Sequence, residues 1–314
     1  MKTLWLWVLC AIACFPGAGR GQERTAQRDF KLPDNVVLEA DIEYGRAGER
    51  SLKLDLLRPR NQGGKQLPVL VQIHGGGWKQ GAKEGGRQAL SNFAATGNYV
   101  GVTVGYRLTD EATWPAQIHD CKAAIRWIRA NAKKYHIDAD KIGAVGHSAG
   151  GHLVALLGTS GDVTELEGDN GNAGHSSRLC CAAVTAGPSD FPHFLEQPRA
   201  GGRSAVIALL GGTPAEKPDA ARAASPVTWV SKDDPPFLII HGTEDGTVPF
   251  AQGETLAATL KKAGVPTTFI RVEGGGHVPS HPDIGQRLRA FFERHLRGQT
   301  VDVSETPLRA TDKR

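Results

Sequence analysis

The stretch from Lys141 to Leu157, KIGAVGHSAGGHLVALL, constrains this chain more than any other. It reads as a short buried strand over Ile142 to Val145, a tight turn, and an apolar helix from Ala149 onward. Ser148 stands at the apex, inside Gly146-His147-Ser148-Ala149-Gly150. Small residues at 146 and 150 let strand and helix pass close to each other. The serine hydroxyl is then exposed at a strand end, and the N-terminus of the helix directs its N–H groups toward a developing negative charge. Glycine, serine and alanine are common in turns, so this pattern alone is weak. It becomes informative if the rest of the chain supplies a base, an acid and an oxyanion hole.

The flanking sequence alternates apolar runs with amphipathic ones. Val36 to Tyr44 and Leu52 to Arg58 read as an antiparallel hairpin at a sheet edge, the second run alternating apolar and polar residues. Leu67 to Ile73 is a continuous apolar run, expected of a central strand buried on both faces. Further strands are expected at Asn98 to Val104, Cys180 to Thr185, Pro236 to Ile240 and Thr267 to Val272. Between them lie a long helix opened by Pro115 and ended by the Asp138-Ala139-Asp140 turn, a helix over Ala251 to Ala263, and a closing helix from Pro282 to Arg297. Such alternation predicts an α/β fold: a mostly parallel, doubly wound sheet with an antiparallel N-terminal edge and helices on both faces. Residues 35–298 form one catalytic domain. Residues 160–235 read as a loop and cap-like insertion: 160–178 as a long polar loop, and Phe191 to Lys232 as an irregular segment that covers the site, with a short helix near Ala205 to Leu210. Residues 299–314 read as a polar, frayed tail.

Residues 1–21 carry the marks of an export signal: Lys2, an apolar run from Leu4 to Phe15, and a small-residue exit ending at Gly21. The run is well short of the roughly 20 residues that span a bilayer. Residues 22–34 follow as a polar linker. The expected location is therefore secreted or periplasmic, with lipidation at Cys14 as the alternative. Losing Lys2 and Arg20 with the leader takes the net charge from +4 to +2, too little to suggest nucleic-acid binding. Of 5 cysteines, Cys10 and Cys14 lie in the leader. Cys121, Cys180 and Cys181 allow at most one bridge, and three small buried thiols are the plainer reading. No cysteine or histidine spacing resembles a metal site, and there is no P-loop, so no cofactor is expected.

The chemistry gathers at strand ends, where sites form in such sheets. His74-Gly75-Gly76-Gly77-Trp78 follows the Leu67 strand, and three glycines there suit a backbone that must approach a ligand closely. A serine needs a base to take its proton, and that base needs a carboxylate to fix its tautomer. The chain has 11 histidines. His277 follows glycines directly after the last strand; His281 and His295 are its rivals, and His74, His147, His152 and His241 read as packing or supporting residues. Asp245, in the turn after the Pro236 strand, is the acid, with Glu244 and Asp190 as alternatives. The order Ser148, Asp245, His277 is that of α/β-hydrolases. The oxyanion hole falls to the backbone N–H groups of Gly76, Gly77 and Ala149, and Trp78 and Tyr106 are candidate pocket residues beside the plainer reading of packing aromatics.

HGGGW at 74–78, YRL at 106–108, GHSAGG at 146–151, GPSD at 187–190, HGTEDGTVP at 241–249 and GGGH at 274–277 together resemble the secreted bacterial feruloyl/acetyl esterases of the α/β-hydrolase fold, relatives of the hormone-sensitive-lipase group. The resemblance spans roughly residues 35–298. It implies hydrolysis of a carboxylic ester, a small ester or a polysaccharide ester, often an acetyl or feruloyl group on plant xylan. It assigns no particular acyl group to the insertion at 160–235. A general short-chain carboxylesterase and an amidase or formamidase-like hydrolase would use the same triad. A non-catalytic binding protein on this scaffold would usually lack a triad member, and all three are present.

Overall fold

The computed structural model describes residues 30–161, 163–198 and 200–311. The expected export signal, Cys14 and most of the expected linker lie outside these residues. Nine strands form one sheet: β1 (Val36–Ala47), β2 (Arg50–Pro59), β3 (Leu67–Ile73), β4 (Val100–Val104), β5 (Ile137–His147), β6 (Cys181–Thr185), β7 (Phe237–Gly242), β8 (Thr267–Glu273) and β9 (Leu308–Arg309). Their order is β1-β2-β4-β3-β5-β6-β7-β8-β9. β1, β2 and β4 pair antiparallel, and every other pair is parallel. The helices are α1 (Arg87–Ala95), α2 (Ala116–Ala130), α3 (Ala132–Tyr135), α4 (Ala149–Thr159), α5 (Arg203–Leu210), α6 (Pro218–Ala223), α7 (Pro226–Trp229), α8 (Phe250–Lys262) and α9 (Pro282–Arg297). Among the described residues no helix is long and apolar enough to cross a membrane.

Alternation along the central strands feeds two cores. Val69, Val71 and Ile239 join Ile118, Ile125, Leu153, Leu156 and Leu260, which come from α2, α4 and α8. Leu70, Leu238 and Ile240 join Leu90, Phe93, Phe291 and Phe292, which come from α1 and α9. A strand buried on both faces must be apolar at every position, which is why these strands read as unbroken runs.

The two cores also settle the cysteines. Cys121 packs into the first and Cys181 into the second, on opposite faces of the sheet, and Cys180 points its thiol at the carbonyl of His295. All three are free thiols.

Three expectations need correction. Asp138 to Asp140 do not form a turn outside the sheet; they are a bulge within β5, where Leu67 pairs with Ile137 but Val69 pairs with Ile142. The Asp138 side chain accepts a hydrogen bond from the Asp140 amide, which closes the bulge locally. Pro115 caps α2 from outside instead of opening its first turn. The polar tail is part of the fold: Leu308 and Arg309 pair in parallel with Val272 and Glu273, and Val303 and Leu308 are buried.

The long polar loop expected from residue 160 is ordered, and residues 163–178 run along the flank of α2. Glu167 there meets Lys122 at 2.7 Å and Arg126 at 2.7 Å, and Asn170 donates to Asp120 at 2.6 Å. Lys122 and Arg126 are fully buried by this loop, so α2 carries two cations on a face that must be neutralised by a carboxylate from elsewhere.

Candidate active site

The carboxyl ends of β3, β5, β7 and β8 lie along one edge of the parallel sheet, with β6 between β5 and β7, and each continues into one of the turns singled out from the sequence. At the end of β5 the backbone of Ser148 has φ 56° and ψ −123°, a conformation that costs a non-glycine residue on the order of 1–3 kcal/mol. The cost persists because the surroundings leave no alternative. The Ser148 amide donates to Thr185 O at 2.9 Å, and a Cβ at Gly146 would lie 2.2 Å from Gly150 O. A Cβ at Gly150 would in turn lie 2.2 Å from Ile73 O on the neighbouring strand.

Ser148, His277 and Asp245 come together in one line. Ser148 Oγ donates to His277 Nε2 at 2.9 Å, and His277 Nδ1 donates to Asp245 Oδ2 at 2.9 Å. Asp245 is buried and has a full set of donors: the amides of Thr247 and Val248 reach Oδ1 at 2.8 and 2.9 Å. His241 Nε2 lies 3.2 Å from Oδ2 and 3.0 Å from Val248 O. Burial alone would raise the Asp245 pKa, but hydrogen bonds from His241 and His277 outweigh it and hold the carboxyl well below the usual range. It therefore stays ionised beside His277. The alternatives fall elsewhere. Asp190 pairs with His193, Glu244 is exposed, and His281 caps α9 by accepting from the Asp283 amide. His295 packs on Phe291.

The glycine loop after β3 lies directly against this turn. A Cβ at Gly75 would come 2.7 Å from His147 O and 3.5 Å from Ser148 Cβ. Gly76 O accepts from the amides of Lys79 and Gln80, and Gly76 has φ 113°. No side chain is tolerated there, since its Cβ would lie 2.1 Å from Gln80 O. The amide of Ala149 opens α4 and has no carbonyl four residues back to bond, as in any first helical turn. Gly75 thus brings the glycine loop against the Ser148 turn, from which the expected oxyanion amides of Gly76, Gly77 and Ala149 follow in sequence.

Trp78 and Tyr106, candidates for lining the pocket, are buried at 2% and 4% exposure. Both turn their polar tips inward to brace the loop. Tyr106 donates to His74 O at 2.9 Å and stacks on the His74 ring at 4.2 Å, and Trp78 Nε1 donates to His152 Nδ1 at 3.2 Å. The part of the insertion that does reach the rim is α5 and the turn before it. A Cβ at Gly77 would lie 3.1 Å from Ala205 Cβ, and the amides of Gly201 and Gly202 donate to Gly246 O and Thr247 O beside Asp245. The His147 ring packs against His277 at a tilt, with ring centroids 4.8 Å apart. Burial, with the neighbouring His277, pushes its pKa down to about 3, so it is a neutral wall beside the base. Its place next to the serine was the only signal in the sequence for that role.

This strand order, with a strained serine, a histidine and a carboxylate on turns at one rim, is that of the α/β-hydrolase esterases. The BD-FAE family model matches residues 54–260, and the chain belongs to that family. A solved structure, a truncated carbohydrate esterase from gut microbiota, is 30% identical and superposes with a TM-score of 0.74 over 87% of this chain and 99% of its own. The propionate-bound esterase Est2 of Thermogutta terrifontis is 27% identical, with a TM-score of 0.65 over 78% of this chain and 85% of its own. Esterase LipQ of Mycobacterium tuberculosis is 32% identical over 73% of this chain and 54% of its own length. The chain spans about half the length of the curated relatives it matches first.

Proposed function

We propose that this protein is an exported serine carboxylesterase that works through Ser148, His277 and Asp245. The observation that carries the reading is the hydrogen-bonded line from the strained Ser148 through His277 to the ionised Asp245. His277 Nε2 takes the hydroxyl proton as Ser148 Oγ attacks the ester carbonyl. Negative charge on the carbonyl oxygen meets the amides of Gly76, Gly77 and Ala149, each worth on the order of 3 kcal/mol in such sites. Collapse expels the alcohol, which takes its proton from His277 and leaves an acyl group on Ser148. Water activated by the same histidine then releases the acid.

The substrate is an acetyl or feruloyl ester of plant polysaccharide. Membership of the BD-FAE family and likeness to a carbohydrate esterase support this class. A general short-chain esterase is the second reading, favoured by likeness to an esterase solved with propionate. Export rests on the leader at 1–21. Ser148→Ala should fold as the wild type, lose hydrolysis of p-nitrophenyl acetate and lose labelling by a fluorophosphonate. Retained activity in that variant would refute the mechanism. A panel of acetyl, longer-acyl and feruloyl esters, with acetylated and feruloylated xylan, separates the two substrate readings: a general esterase should show no preference for the polysaccharide.

A further inference from the structure

His152 lies one turn below the nucleophile on α4, and its amide makes the first helical bond, to Ser148 O at 3.0 Å. The side chain is fully buried, yet both ring nitrogens are used. Nδ1 accepts from Trp78 Nε1 at 3.2 Å, and Nε2 lies 2.7 Å from Ala224 O. These partners fix the tautomer. A carbonyl only accepts, so Nε2 carries the proton; an indole N–H only donates, so Nδ1 carries the lone pair. Burial pushes the His152 pKa down to about 4, which keeps this neutral form at neutral pH.

The ring is also where four segments around the site meet. Trp78 comes from the glycine loop, with centroids 5.2 Å away, Phe191 from the segment after β6 at 4.9 Å, and Trp114 from before α2 at 6.2 Å. Ala224 follows α6 and supplies the carbonyl. An apolar residue would fill the same space, but it could not hold Trp78. That residue follows Gly76 and Gly77 directly and has φ 58°, a conformation that persists only when neighbours over-determine it. Two bonds do so: Thr109 N to Trp78 O at 2.9 Å, and the indole to His152.

We infer that His152 is a positioning residue for the oxyanion loop, holding the Gly76 and Gly77 amides in place through the indole of Trp78. This rests on the reading of those amides as oxyanion donors. Because the amides act on the transition state, loosening the loop lowers kcat and leaves KM nearly unchanged.

The test compares His152→Leu, His152→Gln and Trp78→Phe with the wild type, using p-nitrophenyl acetate kinetics and thermal melting. Leucine removes both ring contacts. Glutamine keeps an acceptor and a donor on one planar group. Phenylalanine removes only the indole N–H. Full loss of one oxyanion donor costs about 10²–10³-fold in kcat, so partial misplacement is expected to cost about tenfold. His152→Leu and Trp78→Phe should each show that loss with KM within about twofold, the double variant should be no slower than the slower single one, and His152→Gln should recover most of the rate. Wild-type kcat in folded His152→Leu or in Trp78→Phe overturns the inference. So do losses that multiply in the double variant, or a loss confined to KM. If His152→Leu does not fold, Trp78→Phe and His152→Gln decide alone. Ser148→Ala runs alongside: if it hydrolyses the ester, the serine mechanism fails and the inference with it, whereas an inactive Ser148→Ala with wild-type Trp78→Phe rejects the inference alone.

Discussion

Replacing Asp245 with asparagine changes one atom and should stop the reaction, for a reason the hydrogen bonds dictate. Oδ1 of Asp245 accepts from two backbone amides, Thr247 N at 2.8 Å and Val248 N at 2.9 Å. In Asp245→Asn the amide oxygen must stay at that position, because an NH2 group there would face two backbone donors that cannot change role, whereas the two histidines facing Oδ2 can each move a proton to the other ring nitrogen. The NH2 therefore occupies the Oδ2 position and faces His277 Nδ1, which in the wild type donates to it at 2.9 Å. His277 can keep a bond to it only by accepting. Its proton then moves to Nε2, the atom 2.9 Å from Ser148 Oγ, which can no longer take the serine proton. The wrong tautomer in serine hydrolases costs on the order of 10⁴ in kcat, about 5.5 kcal/mol of transition-state stabilisation. Steady-state kinetics on p-nitrophenyl acetate at neutral pH measure this directly, and kcat within about tenfold of wild type would refute the tautomer argument. Melting curves give an independent check. The depressed Asp245 pKa contributes stability that is present above about pH 4, where an unfolded aspartate ionises, and is lost as the pH falls through the lower folded value. The melting-temperature gap between wild type and Asp245→Asn should therefore be widest near neutral pH and narrow below about pH 4.

Gly76→Ala should lower kcat on the order of 100-fold, since its Cβ would lie 2.1 Å from Gln80 O and the loop must move; a wild-type rate would show that Gly76 is no part of the oxyanion site. Leu308→Ala should destabilise the fold by about 2–3 kcal/mol, read as a lower denaturant midpoint, because Leu308 is 5% exposed in the strand that closes the β8 edge; an unchanged midpoint would mean that the strand is dispensable. Burial pushes the Asp234 pKa up to about 6, so this group stabilises the fold most below about pH 4 and that contribution is lost as pH rises through 6. Asp234→Asn should accordingly melt higher relative to wild type at pH 8 than at pH 5, and a pH-independent difference would count against the shift.

The parts of this protein that the sequence displays are those governed by local chemistry. A serine between small residues at a strand end, glycines before a tryptophan and a histidine after glycines each announce a turn, and unbroken apolar runs announce strands buried on both faces. What the sequence hides depends on partners far along the chain. The α2 helix reads as amphipathic, but Lys122 and Arg126 are buried because Glu167 arrives from a loop more than 40 positions away. Residues 299–311 look polar throughout. A two-residue strand at a free parallel edge needs few apolar side chains, and Leu308 and Val303 suffice. Trp78 and Tyr106 show the same limit at the site itself. An aromatic beside a glycine loop is as consistent with a pocket wall as with a brace, and only the positions of His152 and His74 O, which the indole and the phenol reach, decide between them. Ser148 and Trp78 both have positive φ, and neither is a glycine. Each is held by a long-range backbone bond, from Ser148 N to Thr185 O and from Thr109 N to Trp78 O. The sequence can therefore mark where the reacting groups belong. The energy that keeps them in reactive geometry comes from segments brought alongside only by the fold.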